Sequence, residues 1–281
     1  MALFLMTSLA MLAFAANSVL NRMAVGAGLI DPVSYAVIRL VAGAAMLALL
    51  VLGRRVLRGG AVWPGWQNRL AGVIGLLAYL FGFSQAYLSL EAGIGALILF
   101  GSVQITMFAG ALVARETVSG MRWTGAALAF AGLLVLVAPG GSIDAFGPVL
   151  LMAFAGFGWG IYSLAGRQTV DPLLATAANF VLALPLALGA AAVIGFGSAL
   201  QPVGILLAIL SGAVTSGLGY ALWYGVLPHL GAARAAVAQL TVPVIAAGAG
   251  AVWLGEGVSL RFVLASMLVL GGVALASLAR R

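Results

Sequence analysis

Ten apolar stretches follow one another along the chain, and the short segments between them carry nearly all of the charged residues. A helix needs about 20 apolar residues to cross the hydrocarbon core of a membrane. The pattern therefore predicts an all-α membrane protein with ten transmembrane helices. We place them near residues 2–21, 33–53, 69–90, 93–114, 121–138, 147–166, 173–195, 203–227, 232–253 and 259–278.

The second half of the sequence repeats the first at a spacing of 140 residues, without a gap. An acid-proline pair begins at Asp31 and again at Asp171, and the motif Glu-x-Val-Ser begins at Glu116 and again at Glu256. Each copy holds an odd number of predicted spans, so the second copy must lie upside down relative to the first. Such inverted repeats are typical of secondary transporters.

We predict two inverted five-helix repeats, 1–140 and 141–281, packed around a central cavity. The boundary falls in the turn-forming run Pro-Gly-Gly-Ser at 139–142. A single half would expose its polar, small-residue faces to lipid, so the halves are expected to pack on each other and not to act as independent domains.

The composition agrees with a membrane protein, since 64% of the residues are hydrophobic and 7% are charged, against about 25% charged in a soluble domain. The net charge of +7 comes from 13 basic residues, all of them arginines. With both termini in the cytoplasm, ten of them fall at inner helix ends and only Arg22 and Arg261 lie outside, as the positive-inside rule requires. The charge reflects orientation, and we expect no nucleic-acid partner.

Several kinds of chemistry are excluded by residue counts. The chain has no cysteine and one histidine, which leaves nothing to build a conventional zinc or iron centre. It also has no lysine and therefore no phosphate-binding loop of the P-loop type. We expect no metal, no cofactor and no ATP-driven transport by this chain alone.

One charge, Arg39, lies inside a predicted span, about 12 Å along the second helix from its outer end. An arginine at the centre of a membrane helix costs about 2.5–3.5 kcal/mol, so such a residue is a functional candidate. It could contact substrate, extend toward the interface, or fix the fold by pairing with carbonyls or Glu91. Its repeat equivalent is Asn179. No acidic residue lies in the middle of a span, which makes facilitated movement simpler than proton coupling through a buried acid.

Aromatic and neutral polar residues concentrate on helices 1, 3, 4, 6, 8 and 9. In hydrocarbon each polar group needs a partner, and each could simply join two helices. Together they predict a cavity suited to net-neutral or zwitterionic metabolites, met by hydroxyls, amides and helix ends. The substrate-binding candidates are Tyr79, Phe83, Trp159 and Trp223 as aromatic walls, with Asn17, Ser102, Gln104 and Gln239 as polar contacts.

Five further residues are structural or gating candidates. Glu116 and Glu256 each precede a helix, where a carboxylate can accept hydrogen bonds from free amides. Gly160 has the spacing of a close helix contact with Gly156, or of a point where a helix bends. Pro243 lies inside a predicted span and could kink it, and Arg39 completes the set.

The sequence resembles a known family at several motifs. Arg115-Glu116-Thr117-Val118-Ser119, its echo at 255–259, and Asp31-Pro32 followed by Ala36-Val37-Ile38-Arg39 are similar to the EamA-type repeat of the drug/metabolite transporter superfamily. The resemblance implies a ten-helix exporter of the bacterial inner membrane with a cavity between helices 1, 3, 4, 6, 8 and 9. Within that superfamily the chain looks most similar to YddG-type exporters of aromatic amino acids, although the first helix has Ala15-Ala16-Asn17-Ser18 where the family often has Trp-Gly-x-Asn.

We therefore expect an alternating-access exporter of amino acids, aromatic and other neutral ones, or of related metabolites. Export of nucleosides, cationic drugs or another metabolite class is the alternative. An intramembrane enzyme is a weaker reading, because the only histidine, His229, lies at a predicted helix end and the three aspartates are far apart. A channel is disfavoured by the apolar, aromatic interior.

Overall fold

The structure is a computed structural model, and it describes residues 1–61, 63, 69–115, 118–138, 146–166 and 169–278, without the side chains of 228 and 231–236. Across these ranges the chain forms ten helices. They are α1 (Ala2–Asn21, continued by a π-helical turn, Arg22–Gly26), α2 (Pro32–Arg58), α3 (Leu70–Ala86), α4 (Ala92–Val113), α5 (Gly120–Val137), α6 (Phe146–Gly166), α7 (Pro172–Ile194), α8 (Pro202–Leu210, a π-helical segment Ser211–Leu218, and Gly219–Gln239), α9 (Thr241–Leu254) and α10 (Leu260–Leu278).

Nine spans within the described ranges are long and apolar enough to cross a membrane, and α3 is a shorter apolar helix of 17 residues. In the same ranges, β-type pairing is limited to one isolated antiparallel bridge, between Ile30 and Leu200. The prediction of a ten-helix membrane protein is therefore confirmed, and most helix ends lie within a few residues of the predicted ones.

One predicted boundary is wrong. The predicted gap between the eighth and ninth spans lies at 228–231 and contains Pro228 and Gly231, yet the backbone is helical from Gly219 to Gln239 and turns at Leu240. Turn-forming residues make a helix more costly, but a membrane favours helix because it satisfies every backbone group internally.

Two candidates lie at this boundary. Pro243 lies in the first turn of α9, three residues after the break at Leu240, and its role as a kink stays a prediction. Gln239 is the last residue of α8, at the junction with α9. Pro185, by contrast, does lie inside a helix, in α7.

Helices α5 and α10 pack on each other through small residues. A methyl group at Gly272 would lie 2.5 Å from the carbonyl oxygen of Gly125, and one at Gly132 would lie 2.9 Å from that of Ala265. The two pairs are repeat equivalents, because 140 residues separate Gly132 from Gly272 and Gly125 from Ala265. Two copies of one bundle that pack on each other would make the same contact twice in this way. The division at 140 stays a prediction, because 139–145 lie outside the described residues.

Helices α2 and α7, which occupy equivalent places in the two halves, also pack together. Asp31 caps α2 by accepting hydrogen bonds from the amides of Val33 and Ser34, and Asp171 caps α7 by accepting one from Leu174. Asp171 further accepts two hydrogen bonds from the guanidinium of Arg54, at 3.1 and 2.5 Å. Burial opposes ionisation of Asp171, but these hydrogen bonds outweigh it and hold the pKa of the carboxyl below its usual value.

Candidate substrate cavity

A cavity lies between five helices, α1, α3, α4, α6 and α8. The sixth helix expected at the cavity, α9, contributes none of the lining side chains in the described part of the chain. The lining consists of Phe14, Asn17, Ser18, Tyr79, Phe83, Leu99, Phe100, Trp159, Thr215 and Tyr220.

Aromatic rings form one side of this cavity. Tyr79 and Phe83 stand four residues apart on one face of α3, and their ring centroids are 5.1 Å apart. Trp159 on α6 lies 4.9 Å from Tyr79 and 5.0 Å from Tyr220 of α8. These distances are typical of favourable aromatic pairs. Three helices thus present four adjoining rings, which we call the aromatic cage: Tyr79, Phe83, Trp159 and Tyr220.

Asn17 supplies the polar side. Its amide nitrogen donates to the hydroxyl of Tyr79 at 2.9 Å, and its amide oxygen accepts from the hydroxyl of Ser211 at 2.6 Å and from Thr215 at 3.3 Å. Both hydroxyls come from the π-helical segment of α8, a distortion that often occurs at functional sites. Asn17 therefore fixes the orientation of Tyr79 relative to α1 and α8.

Arg39 lies directly behind this wall and is 0% exposed. Its guanidinium donates to the hydroxyls of Tyr79, at 2.7 Å, and of Ser216, at 3.1 Å. Its central carbon lies 4.9 Å from the ring centroid of Tyr79 and 5.2 Å from that of Phe83. Each cation–π contact stabilises by about 0.5–2 kcal/mol, which offsets part of the cost of burial. Arg39 neither extends to the interface nor pairs with Glu91, as the sequence had allowed.

The central space is small. It amounts to about 20 Å³, enough for roughly one water molecule and too little for an amino acid. The cavity is therefore closed around its own side chains, and the helices must separate before a solute can enter.

An ion pair closes the predicted outer end. Arg22, in the π-helical turn after α1, lies 3.1 Å from Glu256 in the loop before α10. Glu256 also accepts a hydrogen bond at 2.8 Å from the first amide of α4, at Ala92. It thus caps α4, and not α10 as its position in the sequence had indicated. Arg22 donates in addition to the carbonyls of Tyr87 and Leu88, so this outer clamp joins three parts of the bundle.

Glu91 lies beside the outer clamp, at the N-terminus of α4. Burial raises the pKa of its carboxyl, and the negative charge of Glu256 raises it further, while Arg22 lowers it in part. Glu91 makes no side-chain capping bond to its own helix, whereas the carboxylate of Glu256 accepts a hydrogen bond from the amide of Ala92.

A second, smaller cleft opens near the predicted inner ends of α3, α6 and α7. It holds about 10 Å³ of space. Its lining includes the guanidinium of Arg69, the hydrogen-bonded hydroxyls of Tyr162 and Thr176, and the amide of Asn179. This cleft gives the predicted inner side of the bundle a polar lining.

The structure brings together only some of the predicted substrate contacts. Asn17, Tyr79, Phe83 and Trp159 line the cavity. Trp223 instead packs edge-on against Phe14, with ring centroids 5.9 Å apart. Their roles in binding remain predictions.

Three polar candidates lie outside the cavity lining. Ser102 faces Gly156 where α4 crosses α6, 2.6 Å from where a methyl group on that glycine would lie. Gln104 is partly exposed on α4, and Gln239 is partly exposed at the end of α8. Gly160 meets Thr106 at 2.5 Å by the same measure, a close helix contact. Glu116 lies outside the described residues.

Sequence reasoning did not select Phe14, Leu99, Phe100, Thr215 or Tyr220 as cavity residues. Tyr220 could have been found, because it lies one turn before Trp223 and Tyr224 on the same helix and was part of the aromatic cluster there. The apolar residues carried no signal, since leucine and phenylalanine occur on every face of these helices.

Similarity to known proteins identifies the family. Residues 147–278 match the EamA-like transporter family. Over 277 residues the chain is 46% identical to an uncharacterized protein of Pseudomonas aeruginosa, an alignment that covers 96% of this chain and 93% of that protein. The chain belongs to the EamA-like transporter family. The resemblance inferred from the Glu-x-Val-Ser and Asp-Pro motifs is confirmed.

This EamA-like transporter is also similar to two more distant proteins with transport names. An uncharacterized transporter of Archaeoglobus fulgidus is 25% identical over 251 residues, 87% of this chain and 88% of that protein. A probable amino-acid metabolite efflux pump of Salmonella typhimurium is 27% identical over 210 residues, 69% and 70% of the two chains. One crystal structure matches with a TM-score of 0.69 over 100% of this chain and 99% of that chain, at 20% identity, which shows the fold alone.

Proposed function

We propose that this protein exports amino acids, aromatic and other neutral ones, across the bacterial inner membrane by alternating access, with both termini in the cytoplasm. The aromatic cage is the observation that carries the proposal. Four rings from three helices meet at a polar asparagine, and this combination matches a solute with an apolar or aromatic side chain and a polar backbone.

Two further observations support it. The Salmonella typhimurium relative is named as a probable amino-acid metabolite efflux pump. In addition, the ion pair between Arg22 and Glu256 lies at the predicted outer end of the bundle, and a modest change in helix positions can break and reform it. A contact of this kind suits a bundle that opens alternately to the two sides.

The cage also bears on the alternatives. Aromatic faces would stack on a nucleobase as well, so a nucleoside belongs in any substrate panel. A cationic drug is disfavoured, because the positive charge of Arg39 touches the rings of Tyr79 and Phe83 that it would occupy.

The experiment is counterflow in proteoliposomes. Vesicles loaded with an unlabelled amino acid should accumulate the labelled form, with saturation, and the panel should contain phenylalanine, tryptophan, leucine, uridine and an organic cation. Each is measured with and without a pH gradient, which separates proton coupling from facilitated movement. If purified protein moves uridine or the cation and no amino acid, the substrate class is wrong.

Variants test the site separately from the function. Phe83→Ala removes one ring of the cage and should lower aromatic amino-acid counterflow by about 10-fold or more. Phe130→Ala, which removes an exposed ring on α5, is the matched control. Counterflow of equal rate in both variants would remove the cage from the binding site.

A further inference from the structure

Arg39 is a buried cation without a countercharge. The described part of the chain contains two ion pairs, Arg22–Glu256 and Arg54–Asp171, and Arg39 belongs to neither. Its neighbours are hydroxyls and aromatic faces, which solvate a positive charge but do not neutralise it. A full positive charge therefore stands in the low-dielectric interior.

The guanidinium also has unused hydrogen-bonding capacity. An arginine carries five N–H donors in a planar fork. Nε is bonded to Ser216 and Nη2 to Tyr79, whereas Nη1 is buried and has no hydrogen-bond partner. The Nη1 and Nη2 groups form one of the two edges that can bind a carboxylate through two parallel hydrogen bonds. At present a neutral tyrosine hydroxyl occupies one of these positions and nothing occupies the other.

We propose that Arg39 binds the carboxylate of the transported substrate, while the aromatic cage takes its side chain. This inference rests on the proposed function and adds the group that the substrate must carry. Tyr79 links the two parts, because its ring lines the cavity and its hydroxyl is hydrogen-bonded to Arg39. As the helices separate, a carboxylate replaces that hydroxyl at Nη2 and fills Nη1.

The close helix packing at this position does not account for the charge. Asn179 occupies the equivalent position in the second repeat, where its amide packs 2.6 Å from where a methyl group on Gly72 would lie. Gly212, the repeat equivalent of Gly72, packs in the same way on the backbone carbonyl of Arg39. The close helix contact is thus made on one side by a neutral residue and on the other by backbone, so it does not need a guanidinium.

Matched pairs of compounds test the proposal. Phenylalanine is compared with phenylalaninamide, and 3-phenylpropionate with 3-phenylpropionamide, so that each pair differs only in the carboxylate. In the wild-type protein the acids should compete for counterflow at least about 10-fold better than the amides. Arg39→Gln should lose this preference, and Arg39→Lys should keep part of it, since lysine retains the charge but not the fork. Phe130→Ala, which removes an exposed ring on α5, is the control and should keep the ratio of acid to amide.

Binding provides a second measurement that does not depend on transport. Thermal unfolding of purified protein in detergent should shift upward with each acid and not with its amide, and Arg39→Gln or Arg39→Lys should reduce the shift. If the wild type moves no amino acid but shows this shift, the proposed function fails and the carboxylate site stands. Equal shifts from acid and amide, or an acid preference unchanged in Arg39→Gln, would overturn the site.

Discussion

Arg22 and Glu256 lie 234 residues apart in the chain and form a partly buried ion pair, with 3.1 Å between Nε and Oε1. The carboxylate simultaneously holds the first amide of α4, so one side chain connects the end of α1 to the start of α4. We therefore choose this outer clamp to test the equilibrium between the closed and the outward-open form.

Glu256→Gln should favour opening to the outside by about 10-fold, because it removes the charge from a hydrogen-bonded pair. The chain has no cysteine, so a single Ser18→Cys placed at the cavity can be labelled without background. The rate of labelling by a membrane-impermeant thiol reagent, applied from the outer side, should rise in the Glu256→Gln variant.

Ser259→Ala is the control for this measurement. Ser259 lies in the same loop and caps the amide of Phe262, but it makes no contact with Arg22. The protein that carries both Ser18→Cys and Ser259→Ala should label at the same rate as Ser18→Cys alone. A Glu256→Gln variant that also labels at that rate would show that the ion pair does not hold the outer side closed.

Glu91→Gln should raise thermal stability at pH 7 and have little effect near pH 4. The pKa of the Glu91 carboxyl is raised in the folded protein, so folding disfavours its charged form, and this penalty is present at pH values above the unfolded pKa. Melting curves at the two pH values give the comparison. In a Glu256→Gln background the gain should shrink, since that neighbouring charge is the second cause of the shift after burial.

Tyr79→Phe should lower the free energy of unfolding by about 2 kcal/mol or more, because it leaves an amide of Asn17 and a charged N–H of Arg39 without their buried acceptor. Tyr87→Phe removes a hydroxyl whose partners are neutral, the carbonyl of Ala92 and the hydroxyl of Ser18, and should cost about 1 kcal/mol. Chemical or thermal denaturation in detergent measures both. Equal losses would mean that the Tyr79 hydroxyl does not stabilise the buried charge of Arg39.

Gly272→Val should destabilise the protein by about 1–3 kcal/mol, because its new side chain would meet the carbonyl of Gly125 at the contact of α5 and α10. Gly271→Val is the matched control, since nothing lies within 4 Å of the position that its side chain would occupy. Unfolding temperatures of the two variants should differ clearly, and similar values would argue against close packing of these helices.

The helices could be predicted well because apolar length is a local property. The span that became α2, for example, is bounded by Asp31-Pro32 and by three arginines, and both ends follow from neighbouring residues. The end of α8 could not be predicted in this way. The predicted gap at 228–231 contains Pro228 and Gly231, yet the backbone there is helical, since in a membrane a helix satisfies every backbone group internally.

The site was harder to predict, because a residue lines the cavity only if it lies on the right face of its helix as well as at the right depth in the membrane. Ser102 lies near the depth of the cavity but faces α6, while Leu99 and Phe100, about one turn away, line the space. The partners of Arg39 lie 40 and 177 residues away in the chain, so no local pattern could name them. Tyr79 and Phe83 were found because their spacing places both on one face.

Position 39 is an arginine, whereas the equivalent position of the second repeat, 179, is an asparagine. This difference has a thermodynamic consequence. A carrier whose two halves were identical would have inward-open and outward-open forms of equal energy, each the image of the other. In the proposed alternating-access carrier, a guanidinium in one half only is one of the differences that remove this degeneracy, so we expect the empty protein to have a preferred orientation. Solute affinities measured at the two faces should therefore differ, while the direction of net flux remains set by the gradient.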